Sequence, residues 1–152
     1  MKMLIASDHA GFRLKEKLKD YLEKKHIQVK DLGTYSEERC NYPEFASALA
    51  QDISQGKHKQ GILVCKSGIG NSIVANRYPG VRAALSYSVK AAKLSREHND
   101  SNVLVLGSAF VNEKTAKKIL GAWIETKFAG GRHRKRLNQL KQIEKDLRKW
   151  KA

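Results

Sequence analysis

Five short strand-like runs, of which Ile27 to Leu32 alternates apolar with polar residues, are interleaved along this chain with segments of helical period, and that succession limits the fold more than any other feature. The runs are Met3 to Ser7, Ile27 to Leu32, Ile62 to Cys65, Val81 to Leu85 and Val103 to Gly107. After the first run, Gly11 to Lys25 places Phe12, Leu14, Leu18, Tyr21 and Leu22 at helical spacing. Gly33 to Pro43 is a polar loop, and Pro43 can open the next helix, to about Gln55, at its first turn. A short helix is expected from Asn71 and another over Tyr87 to Glu97. Asn112 is placed to cap a helix carrying Ala116, Ile119, Leu120, Trp123 and Ile124. A last helix is expected from about Arg134 to Lys149. Strands alternating with helices predict βαβ units and a parallel sheet. Ligands of such sheets bind beyond the carboxyl ends of the strands. That rule selects Ser7-Asp8-His9, Cys65 to Gly70 and Gly107-Ser108-Ala109.

The 152 residues suffice for one domain with a core. No linker, repeat or low-complexity tract interrupts them, so residues 1–152 are expected to form a single domain. No apolar run reaches membrane-spanning length. Met1 to Ser7 lacks the apolar core and cleavage site of a signal peptide, so a cytoplasmic location is the default expectation. Cys40 and Cys65 form neither a CxxC pair nor a disulfide framework, and both are expected as reduced thiols. The net charge of +15 opens nucleic acid as a partner. No zinc-finger, homeodomain, RRM or KH signature accompanies it, and the competing reading is a basic surface handling an acidic small molecule. The charge is spread along predicted helices (Arg13, Lys15, Lys17, Lys19; Lys114, Lys117, Lys118) and is densest from Arg132 to Lys151.

Gly61 to Ser72 carries the strongest chemical signal. A buried strand ends in Cys65, and a loop with Gly68 and Gly70 leads into a helix. Backbone N–H groups of such a loop can converge on an anion. A thiol needs a lowered pKa to act as a base, and the loop together with Lys66 can supply it. The alternative is a buried structural cysteine. Asp8 and His9 either orient hydroxyls and meet a phosphate, or merely form a helix-starting turn. His98, Asn99 and Asp100 close a helix. His98 is either an acid/base beside an Asn99 oxyanion donor or a C-terminal cation on the helix dipole. Arg132 and Arg136, four apart, suit a phosphate if helical; otherwise they belong to a solvated basic face. No His, Cys, Asp or Glu set has metal-ligand spacing, so no metal is expected. GxGxxG is absent after the first strand and GxxxxGK[ST] is absent throughout, which argues against dinucleotide and ATP sites.

Taken together these residues resemble the ribose-5-phosphate isomerase B family, which includes the galactose-6-phosphate isomerase subunits. The matching stretches are Ser7-Asp8-His9-Ala10-Gly11, Asp31-Leu32-Gly33-Thr34, Asn41-Tyr42-Pro43 and Cys65-Lys66-Ser67-Gly68-Ile69-Gly70. Further on come Ala75-Asn76-Arg77, Leu94 to Asn102 and Gly130-Gly131-Arg132-His133. They stand in the family's order and reach to about Glu144. The resemblance implies a Rossmann-like three-layer α/β/α sandwich with a five-stranded parallel sheet and a C-terminal helix. It implies a homodimer, possibly paired into a tetramer, with sites built across the dimer interface and no cofactor. It also implies interconversion of ribose 5-phosphate and ribulose 5-phosphate, a step of the pentose phosphate pathway. In that scheme His98 opens the sugar ring, and Cys65, assisted by Ser67, moves the proton between C2 and C1. Backbone N–H groups of Lys66, Gly68, Ile69 and Gly70, with Asn99, stabilise a cis-enediolate. Asp8 and Tyr42 hold the sugar, while His9, Arg132 and Arg136 hold the phosphate, the arginines coming from the partner subunit. The chain departs from the family at Lys66, where glycine is usual, at Asn71, where an apolar residue is commoner, and at Ala109. Many members have a phosphate-contacting arginine at that last position, and Lys66 is expected to restore its charge. Galactose-6-phosphate subunits lack the arginine too, which keeps a phosphorylated hexose open as the substrate.

Overall fold

The computed structural model describes residues 2–150. Its elements run β1 (Met3–Ser7), α1 (Phe12–Lys24), β2 (Val29–Asp31), α2 (Tyr42–Ser54), β3 (Gly61–Cys65) and α3 (Ile69–Ala75). They continue with β4 (Ala83–Leu85), α4 (Val89–Asn99), β5 (Val103–Gly107), α5 (Glu113–Glu125) and α6 (Arg132–Trp150). All strand pairs are parallel, in the order β2-β1-β3-β5-β4. β1, β3 and β5 are buried at every position, as the middle strands of a sheet covered on both faces must be.

Alternation along those strands feeds two cores. Ile5, Ile62, Val64, Leu104 and Leu106 face α1, α4 and α5, where Leu18, Ala92, Ile119 and Trp123 close the layer. Leu4, Ala6, Leu63, Val103 and Val105 face α2 and α3, packing on Ala46, Leu49, Ala50 and Ala75. Trp123 is fully buried, and its indole N–H donates to Ser101 Oγ at 2.8 Å, so its one polar atom is satisfied. The expected Rossmann-like α/β/α sandwich and its C-terminal helix are the observed architecture.

Three local differences have physical causes. Gly68 takes φ +80° and ends the loop, so α3 starts at Ile69, two residues before the expected Asn71. Ser88 caps α4, its Oγ accepting the N–H of Ala91, and that moves the helix start to Val89. Lys15, expected among the surface charges, is fully buried. Its Nζ donates to Asp31 at 2.5 Å and to Glu16 at 2.9 Å, which ties α1 to β2. Burial pushes the Asp31 carboxyl up, but the hydrogen bonds from Lys15 and Lys19 more than offset this and hold it below the usual carboxylate range.

β1 connects outward to β2 on one side, whereas the chain after β3 moves to the other side of the sheet. The strand order therefore reverses between β1 and β3, and a crevice opens there at the carboxyl edge.

Candidate active site

Cys65 ends β3 at this reversal, 4% exposed, and the β1–α1 loop lies beside it: Asp8 N–H donates to the Val64 carbonyl at 3.3 Å. The N–H of Gly68 donates to Cys65 Sγ at 3.1 Å. Main-chain N–H groups of Asn71 and Ser67 also stabilise charge on the sulfur. Of the loop N–H groups expected to meet an anion, that of Gly68 is directed at this sulfur. The expected lowering of the thiol pKa is not found. Burial pushes the Cys65 thiol up, the Asp8 carboxylate adds to that, and the three N–H groups only partly compensate. Lys66 is exposed, and its charge does not enter this balance.

Gly68 fits where a side chain would not. A Cβ there would drive into Leu85 and lie 3.2 Å from the Leu106 carbonyl, on a backbone that L side chains rarely adopt. Gly70 is needed for a different reason: a Cβ would lie 2.8 Å from the Tyr42 hydroxyl, so the phenol of α2 rests against bare backbone. Ser67 Oγ accepts the N–H of Ile69 at 3.2 Å, and the Tyr87 hydroxyl donates to the Ser67 carbonyl at 2.6 Å. Tyr87 thus secures the loop, a role that sequence position alone did not reveal. The β5–α5 loop is joined on as well, with Ser108 N–H donating to the Cys65 carbonyl at 2.8 Å and Ala109 N–H to the Lys66 carbonyl at 2.9 Å.

Asp8 is 6% exposed, and its Oδ1 accepts the N–H of Gly11 at 2.9 Å, so it forms the helix-starting turn and still presents a carboxylate to Cys65. His9 Nδ1 lies 3.2 Å from both the N and the O of Cys40, which fixes the ring and leaves Nε2 for a ligand. Asp8, His9, Tyr42, Cys65, Lys66, Ser67, Gly68, Ile69 and Gly70 therefore gather at one edge of the sheet.

The other predicted residues do not join them within one chain. α4 returns from the carboxyl edge to the amino edge, where Arg82, just before β4, donates from Nε to the carbonyls of Asn99 at 2.9 Å and Asp100 at 3.0 Å. His98 and Asn99 thus sit about 15 Å from Cys65 along the strand direction, at roughly 3.3 Å per residue over the length of β3. There the His98 ring stacks on His133 of α6, with centroids 4.2 Å apart and an 11° interplanar angle. His133 is buried, and burial, then the charges of His98, Arg132 and Arg136, push its pKa down. Arg136 lines the same hollow as His98, Asn99 and His133. Arg132 stands exposed at the start of α6, one turn before Arg136. His133 belonged to a recognised motif, but only the fold assigns it a contact. Among the described residues, no three His, Cys, Asp or Glu side chains gather as metal ligands would. No described helix is long and apolar enough to cross a membrane.

Reactive side chains clustered at the strand-order reversal of a Rossmann-like sheet are the mark of an α/β enzyme. Comparison with known proteins narrows the class. A family model described as Ribose/Galactose Isomerase matches residues 3–140, and the chain belongs to that family of isomerases. Ribose-5-phosphate isomerase B of Escherichia coli is 41% identical over 143 residues, 94% of this chain and 96% of that protein. The solved structure of the Clostridium thermocellum ribose-5-phosphate isomerase B matches with a TM-score of 0.94 at 41% identity, covering 97% of this chain and 99% of that one. The Mycoplasma genitalium ribose-5-phosphate isomerase B, solved with bound ribulose 5-phosphate, matches with a TM-score of 0.90 at 39% identity, covering 95% and 96%.

Proposed function

We propose that this chain interconverts ribose 5-phosphate and ribulose 5-phosphate, with Cys65 as the base. The observation that carries the reading is the Cys65 sulfur held at the strand-order reversal by the Gly68 N–H, within a family of sugar isomerases. In the open-chain aldose, Cys65 as thiolate takes the proton from C2. The resulting cis-enediolate carries its charge on oxygen beside the loop N–H groups. The same thiol returns the proton to C1. Ser67 assists the transfer, and Asp8 and Tyr42 hold sugar hydroxyls. Lys66, His9, Arg132 and Arg136 hold the phosphate.

A complete site on this reading needs two subunits. His98 and Asn99, with Arg132 and Arg136, lie at the far edge of their own sheet, so a second copy brings them to Cys65. His98 then opens the furanose ring. A homodimer is the smallest assembly that supplies both halves, and the phosphorylated sugar is the partner it is built for. No cofactor is required.

Ala109 favours a second reading, an isomerase of a phosphorylated hexose such as allose or galactose 6-phosphate. Turnover measured on a panel of five- and six-carbon aldose phosphates tests both. Ribose 5-phosphate should give the highest kcat/KM; a hexose phosphate giving a higher value would overturn the first reading.

A further inference from the structure

Two observations beside Cys65 pull against each other. A base must release its proton readily, yet burial and Asp8 push this thiol up. On the helix that follows this loop lies an unexplained group. The Asn71 side chain is 1% exposed, and neither its Oδ1 nor its Nδ2 has a hydrogen-bond partner. Buried polar atoms without partners are uncommon because they forfeit hydration for nothing.

Folding alone gives no reason for an amide here. Ala75, one turn later on the same buried helix face, packs into an apolar core, where a hydrocarbon side chain would do as well. Two features place the amide on the sulfur's side of the sheet. Asn71 follows Gly68, whose N–H donates to the sulfur, by three residues, in the first turn of α3. Cys65 also leaves β3 on the same sheet face as Leu63, which packs in one layer with Ala75.

We propose that Asn71 is a positioning residue for the Cys65 thiolate. Its side-chain Nδ2–H turns to donate to Sγ once the thiol has lost its proton, beside the main-chain donors of Gly68 and Asn71. The inference rests on the reading of Cys65 as the base. A neutral thiol is a weak acceptor and leaves the amide unpartnered; a thiolate gives it a charged acceptor, and hydrogen bonds to charged groups are about twice as strong. The resting protein thus tolerates a frustrated amide, and that amide lowers the free energy of the ionised state.

The ionisable groups on the surrounding elements are Asp8 and His9 after β1, Tyr42 and Glu44 at the start of α2, Lys66 in the same loop, and Tyr87 against Ser67. Of these, Asp8 opposes the thiolate. The Tyr87 hydroxyl is already committed to the Ser67 carbonyl.

The test is an NMR titration of the isotopically labelled Cys65 Cβ in the full-length protein, with Cys40→Ser used to assign the two cysteines. Asn71→Leu should raise the thiol pKa by about one unit, a tenfold loss of thiolate below it. The pH profile of kcat/KM should move up by the same amount, while the melting temperature of the free protein holds or rises. An unchanged thiol titration in folded Asn71→Leu overturns the proposal and leaves Asn71 a core residue only. If Asn71→Leu does not fold, Asn71→Ala carries the same measurement with the same two outcomes. The titration uses no sugar, so its failure is separate from failure of the isomerase reading, which the substrate panel decides.

Discussion

The main-chain N–H of Gly68 donates to the sulfur of Cys65 across 3.1 Å, from a residue held at φ +80°. That bond couples a backbone conformation to the chemistry of a side chain. Gly68→Ala should therefore do two things at once. The left-handed backbone disfavours a Cβ by about 1–2 kcal/mol, and the new methyl would collide with Leu85. A lower melting temperature and a kcat reduced by more than about tenfold, from loss of one preorganised donor, are expected together. A variant that melts lower but turns over normally would separate the loop from catalysis.

The two groups of proposed site residues lie at opposite edges of one sheet, which makes subunit mixing informative. Cys65→Ala and His98→Asn should each be nearly inactive alone. In a mixed dimer, one site carries both substitutions and the other carries neither. Mixing equal amounts should restore about a quarter of wild-type activity, from random pairing of a two-fold dimer. No recovery after verified subunit exchange would place both residues in the same subunit's site.

Lys66 and Ala109 are joined through their backbones at 2.9 Å, so the lysine stands beside the position left without an arginine. Lys66→Ala should raise KM for ribose 5-phosphate about fivefold, the effect of roughly 1 kcal/mol from one exposed ionic contact, and leave kcat nearly unchanged. An unaltered KM would remove Lys66 from the phosphate site.

The Lys15–Asp31 pair is structural, and its effects should appear in stability rather than turnover. Lys15→Met should destabilise the protein by about 2 kcal/mol, less than the roughly 3–5 kcal/mol of a fully buried pair, because Lys19 still meets Asp31 at 2.7 Å. A carboxyl held below its usual range contributes stability above about pH 4 that is lost as the pH falls through the depressed value. Asp31→Asn should therefore flatten the acid limb of the stability curve, as chemical denaturation at a series of pH values would show.

Much of this arrangement is legible in the chain. The middle strands are buried on both faces, so they read as continuous apolar runs, and the strand-end rule points to Asp8, His9 and Cys65. What periodicity misses are relations between distant residues. Lys15 looks like a surface charge until Asp31 arrives from β2, and nothing local marks the stacking of His98 on His133. The helix expected from Asn71 starts two residues earlier, at Ile69, because Gly68-Ile69-Gly70 gives no helical signal. The raised thiol pKa of Cys65 follows from burial and from Asp8 across the reversal, a residue far from it in sequence.

The most direct test of Cys65 as the base is turnover of ribose 5-phosphate by Cys65→Ala, measured together with binding of the sugar phosphate. A general base of this kind contributes about 10²–10⁴ in rate. The expected result is a loss of kcat in that range, with the fold and phosphosugar binding retained. A folded Cys65→Ala protein that keeps substantial turnover would contradict the assignment.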